Sequence, residues 1–106
     1  MKICVVAILM AFSLNAFAVS QDSGKIAKLY VDESGNIAVI LDMGFPNAVQ
    51  DGQCVTSNGF AGTTTAAVEL KSALLAAKAS GAIVIIDTLG CDAGGAWLKV
   101  KAIYVE

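Results

Sequence analysis

Few side chains in this 106-residue sequence are suited to covalent or acid–base chemistry, and they fall into small sets. There are three cysteines and nine acidic residues, and there is no histidine. Neither Cys54 nor Cys91 belongs to a C-x-x-C pair or has a histidine to activate it, so neither reads as a nucleophile. Two cysteines without histidine also leave a tetrahedral metal site incomplete. Asp42, Asp51, Asp87 and Asp92 are spread through expected loops, at no spacing that singles out an acid–base pair. Gly59-Phe60-Ala61-Gly62-Thr63-Thr64 ahead of a helix offers backbone N–H groups to an anion, but it lacks the lysine of a phosphate-binding loop. The expectation is a protein without catalysis, cofactor or metal.

Gly90-Cys91-Asp92-Ala93-Gly94-Gly95 has a superficial likeness to the nucleophile segment of trypsin-like proteases, with Ala93 where the serine would stand. Without a histidine base the segment reads as a tight turn between strands. Binding is better provided for than catalysis. Trp97, Asn58, Phe60 and Asn47 are the candidate ligand residues, with Phe45 and Tyr30 beside them, because sugars are held by an aromatic face together with amides. Trp97 equally suits a half-buried core position.

The N-terminus reads Met1-Lys2, an apolar run from Ile3 to Phe12, then Ser13-Leu14-Asn15-Ala16-Phe17-Ala18. This is the pattern of a secretory signal peptide over 1–18, cleaved after Ala18, followed by one domain over 19–106. The apolar run is too short for comfortable passage through a bilayer core of about 30 Å. No membrane span is therefore expected after cleavage, and the product is placed in the periplasm or outside the cell. Seven basic residues, all lysine, stand against nine acids. Without arginine, histidine or a lysine cluster, nucleic acid is not an expected partner. A domain this small buries a thin core, and exported domains of this size commonly add a disulfide. Cys54 and Cys91 are the candidates; two free thiols or an intermolecular bridge are the alternatives.

These residues are carried by a mainly β, α+β order of elements. Ile26–Val31 and Ile37–Leu41 read as strands joined by the turn formers Asp32 to Asn36. Met43 to Gln53, with Gly44, Pro46 and Asp51-Gly52, reads as a loop, and Cys54–Ser57 as a short third strand. Ala66 to Ser80 reads as a helix, with a threonine of 63–65 as N-cap, Glu69 and Lys78 matched to the dipole, and Gly81 as the left-handed stop. Ala82–Ile86 is expected as a fully covered strand, Leu89–Gly95 as a turn, and Trp97–Val105 as the last strand. The order is β-β-β-α-β-β. The helix has no clean polar face: Lys71 and Lys78 fall between Leu70, Leu74 and Ala77 on one side and Val68 and Leu75 on another. Its alanines leave room for close approach, although high helix propensity alone also accounts for them.

Gly-Lys-Ile-x-x-Leu-Tyr-Val, Gly-Asn-Ile-x-Val, a cysteine segment, a Leu-Leu-Ala-Ala-x-Ala-x-Gly helix, then Val-Ile-Ile and a second cysteine together resemble the small secreted proteins related to the binding subunit of subtilase cytotoxin. The resemblance covers nearly all of 19–106. It implies a small OB-like five-stranded barrel with one helix between strands 3 and 4, and a homo-oligomer, a pentamer whose helices surround a pore. Lys71, Leu75 and Lys78 would then lie on the oligomer or pore face of the helix. No stretch matches that subunit's sialoglycan-binding residues position by position. The expected function is a secreted or periplasmic binding module of toxin B-subunit type that recognises a glycan. The alternative is a monomeric periplasmic accessory or inhibitor protein working through a protein surface such as the Met43 to Gln53 loop.

Overall fold

The computed structural model describes residues 18–65 and 67–106. The expected signal peptide, apart from Ala18, lies outside the described residues, as does Ala66 at the expected helix start. Five strands, β1 (Ser20–Val31), β2 (Ile37–Leu41), β3 (Ala61–Thr63), β4 (Ile83–Asp92) and β5 (Trp97–Val105), close a barrel in the order β1-β2-β3-β5-β4. Two helices interrupt the series, α1 (Pro46–Gln50) between β2 and β3 and α2 (Val68–Ser80) between β3 and β4. The small, mostly β architecture is consistent with an OB-like fold.

The β1–β2 hairpin forms where turn chemistry places it, with Gly35 at φ 85° and its N–H bonded to Asp32 O. β1 begins at Ser20 rather than near Ile26. Its first half, Ser20 to Lys25, pairs antiparallel with Thr88 to Ile83, and its second half pairs with β2 after a register shift between Ile26 and Lys28. Nothing in Ser-Gln-Asp-Ser-Gly is strand-prone; the long-range partner β4 imposes the conformation.

The third strand is displaced from the expected site. Cys54–Ser57 forms a turn closed by Ser57 N–H to Cys54 O, and β3 is Ala61–Thr63. The centre of β3 is Gly62, where an added Cβ would stand 2.3 Å from Ile37 O and 2.6 Å from Ala38 Cβ, so close strand approach selects glycine. The expected loop over Met43 to Gln53 contains α1, so the order is β-β-α-β-α-β-β. Pro46 opens α1, and the buried Asp22 carboxylate of β1 accepts the N–H groups of Asn47 (2.8 Å) and Ala48 (3.1 Å).

No threonine caps α2; the N-cap is Ala67. Thr64 Oγ1 donates instead to Asp92, and Thr63 Oγ1 accepts Thr65 N–H. Gly81 ends the helix in the left-handed conformation, as its sequence position indicates. β4 runs on to Asp92, so the expected Leu89–Gly95 turn shrinks to a 3-10 turn at Ala93–Gly95. Gly90, at φ 74°, carries the strand through this stretch. Nor is β4 covered on both faces: Val84 and Ile86 are buried while Ile83 is exposed.

One apolar core fills the barrel, including Ile26, Ile37, Val39, Leu41, Val84, Ile86, Leu98 and Val100, with Leu74 and Ala77 of α2 packed into it. Cys54 and Cys91 form a disulfide with Cα atoms 5.1 Å apart. Across its separation of 37 residues the loop-entropy model assigns about 4 kcal/mol. Among the described residues no helix is long and apolar enough to cross a membrane.

Candidate functional site

Strand register defines two faces of the barrel wall. Leu29, Val39, Ala61 and Leu98 lie side by side across β1, β2, β3 and β5 and point inward. The next row, Tyr30, Ala38, Gly62 and Lys99, therefore points outward. Ala38 has no exposed surface, and Trp97 only 9 %, yet neither belongs to the central core. Trp97 belongs to an aromatic cluster on the outer face. The Tyr30 ring meets Trp97 edge-on at 5.7 Å between centroids and Phe60 at 6.5 Å.

Loops at the ends of the strands fix this cluster. The Tyr30 hydroxyl donates to Asp32 Oδ2 (3.0 Å), and Asp32 also accepts Ser34 N–H, Asn36 N–H and Asn36 Nδ2. Desolvation pushes the Asp32 carboxyl upward, but the bonds from Asn36, Tyr30 and Ser34 outweigh it and hold the group below the ordinary carboxylate value. Its bond to Asp32, then desolvation, raises the Tyr30 phenol above its usual value. Asp92 is the cross-strand partner of Trp97. Desolvation again acts upward there, and the bonds from Ala93 N–H and from Thr64, with the Lys99 charge, leave Asp92 net lowered.

Asn58 and Phe60 arrive on the strap that precedes β3. Asn58 N–H donates to Ala96 O (2.8 Å), Phe60 N–H to Asn58 Oδ1 (3.1 Å), and Leu98 N–H to Phe60 O (3.0 Å). Asn58 is exposed, and with its oxygen engaged its amide nitrogen is the group free to turn to a ligand. Trp97, Phe60 and Asn58 are thus brought together. Asn47 is not among them: its side chain donates to Gln21 O at the start of α1. Phe45 is buried in the core. Tyr30, secondary among the candidates by sequence, is the ring that joins the other two; its outward position in an alternating strand was the available signal.

A second feature adjoins the same strap. A cavity of about 470 Å³ is lined mainly by apolar groups, among them Ile40, Phe45, Val49, Val55 and Leu98, and Ser57 and Gly59 form part of its wall. Val49 and Val55 of its lining are 73 and 89 % exposed.

On α2, Leu75 is 45 % and Val68 73 % exposed, and Lys78 is exposed. Lys71 is half-buried, and its ammonium lies over the β1–β2 turn at Gly35. The expected carboxylates occupy separate places, each with its own donor: Asp42 with Lys25 N–H, Asp51 with Ser20, Asp87 with Gln21, and Asp92 with Thr64. Gly59–Thr64 contains β3 and stops short of the α2 N-cap at Ala67, so the anion-loop reading is corrected. Among the described residues there is no group of three or more metal-ligating side chains. No family model, curated protein or solved structure matches the chain.

Proposed function

We propose that this protein is an exported, non-catalytic binding module with an OB-like barrel, of toxin B-subunit type, which assembles from copies of itself and recognises a glycan. The observation that carries the reading is the outward aromatic cluster of Tyr30, Phe60 and Trp97. In OB-like barrels the β2–β3 face and its β1–β2 and β4–β5 loops bind oligosaccharides and oligonucleotides. Here Tyr30 is locked by the β1–β2 turn through Asp32, and Trp97 follows the β4–β5 turn. The Tyr30 ring, 43 % exposed, with an amide and carboxylates near it, suits the apolar face and hydroxyl rim of a sugar ring. The absence of arginine and histidine disfavours the oligonucleotide option.

Self-assembly draws on α2. At 100° per residue Val68, Ser72, Leu75, Ala76 and Ala79 point away from the core, with Glu69 on one flank and Lys71 and Lys78 on the other. Parallel neighbours in a ring set Glu69 of one helix beside the exposed Lys78 of the next. The experiment is an oligosaccharide array probed with the oxidised protein and with Tyr30→Ala. Retention on defined glycans that is lost in Tyr30→Ala is the expected result; no retention on any glycan overturns the reading.

The cavity of about 470 Å³ bordered by exposed Val49 and Val55 favours a second reading. Apolar rims of this kind mark protein contacts, which suits a monomeric accessory protein. A concentration-independent monomer that fails on the array would transfer support to it.

A further inference from the structure

The strap from Gln53 to Phe60 contains neither helix nor strand, yet it carries Asn58 and Phe60 to the aromatic face and walls the adjoining cavity. It is sewn to the β4–β5 end at five places before β3 begins. These are the Cys54–Cys91 disulfide, Gly90 N–H to Gln53 Oε1 (3.0 Å), Thr56 Oγ1 to Gly95 O (2.6 Å), Asn58 N–H to Ala96 O (2.8 Å), and Leu98 N–H to Phe60 O (3.0 Å); the disulfide is the one covalent tie. Only Cys54 of the strap belongs to the buried core; all five strands and the rest of that core lie outside it. The two sulfur-bearing residues also differ in access, since Cys54 is 8 % exposed whereas Cys91 is exposed.

From this placement we infer that the disulfide is a redox latch on the binding face: an external dithiol opens it through Cys91, and the released strap withdraws Asn58 and Phe60 while the barrel stays folded. The thiolate of the dithiol attacks Cys91 Sγ, the S–S bond breaks, and its electron pair leaves on Cys54 Sγ, which takes up a proton. The second thiol of the reductant then attacks its own sulfur in the mixed disulfide, releasing Cys91, which is protonated in turn. The products are two cysteine thiols and one oxidised dithiol. The consequence for ligand binding rests on the glycan reading given above; the opening of the strap does not.

The test treats native protein with dithiothreitol at neutral pH, alkylates the thiols, and follows acrylamide quenching of Trp97, the only tryptophan in the chain. Expected are a reduction rate proportional to dithiothreitol concentration, a several-fold rise in quenching, and a retained far-ultraviolet strand spectrum. A rate independent of dithiothreitol, a strand spectrum that collapses as the thiols appear, or unchanged quenching after both thiols are alkylated would overturn the latch. These readouts need no ligand. If the oxidised protein responds to no glycan, the glycan reading falls alone, and the latch is still decided by Trp97.

Discussion

At Gly62 the barrel wall has no room for a side chain. A Cβ there would press on Ile37 O and Ala38 Cβ, and β2 and β3 would have to move apart. Gly62→Ala is therefore expected to destabilise the protein by about 1–3 kcal/mol, as overpacking does. Chemical denaturation gives the loss, and an unchanged midpoint would show that β2 and β3 are free to separate. Asp32 and Asp92 give a prediction in acid. Both carboxyls are held below their ordinary values in the folded state, so their stabilisation is complete above about pH 4, the unfolded-state value, and fades as pH falls through the folded values. Stability should fall in acid, and less steeply in Asp32→Asn than in the parent; parallel acid limbs would remove Asp32 from the account. Tyr30 acts in the opposite direction. Its raised phenol contributes below about pH 10 and loses its contribution as pH rises through the folded value.

Among the elements, α2 separates packing from the proposed assembly. Leu74 is wholly buried against the barrel and Leu75, its neighbour, is 45 % exposed. Leu74→Asp places an unpaired charge in the core and should cost more than about 4 kcal/mol. Leu75→Asp should leave the folded chain intact and dissociate the assembly. Thermal melting together with sedimentation reads both, and equal effects of the two substitutions would mean the helix faces are misassigned. α2 was legible because its propensity, dipole charges and Gly81 agree locally. The β1–β2 hairpin was legible for the same reason, through Asp32 to Asn36. Elements fixed by distant partners were not. Ser20 to Gly24 becomes strand because β4 lies beside it, and β3 forms around Gly62, a residue with low strand preference, because two strands must approach closely. The helix α1 was hidden in a turn-like sequence, since its cap comes from Asp22, well upstream in β1.

For the whole molecule, the candidate site was partly legible. Trp97, Phe60 and Asn58 were marked by residue type alone, whereas Asn47 carries the same amide but spends it on Gln21 O. The row Tyr30–Ala38–Gly62–Lys99 exists only once β1, β2, β3 and β5 are in register, which no local pattern specifies. Assembly is checked by light scattering of the oxidised protein. A mass near five chains at every working concentration is expected from the charge arrangement of α2 in a ring together with the toxin-subunit resemblance, and a monomer would remove the ring. The outward aromatic cluster is the proposed seat of a sugar, and Trp97 reports on it without labelling. The deciding measurement is the emission of Trp97 in the oxidised protein titrated with a panel of neutral and sialylated oligosaccharides. A saturable shift with at least one of them, absent in Tyr30→Ala, is the predicted result, and an emission spectrum unchanged by every oligosaccharide would contradict the account.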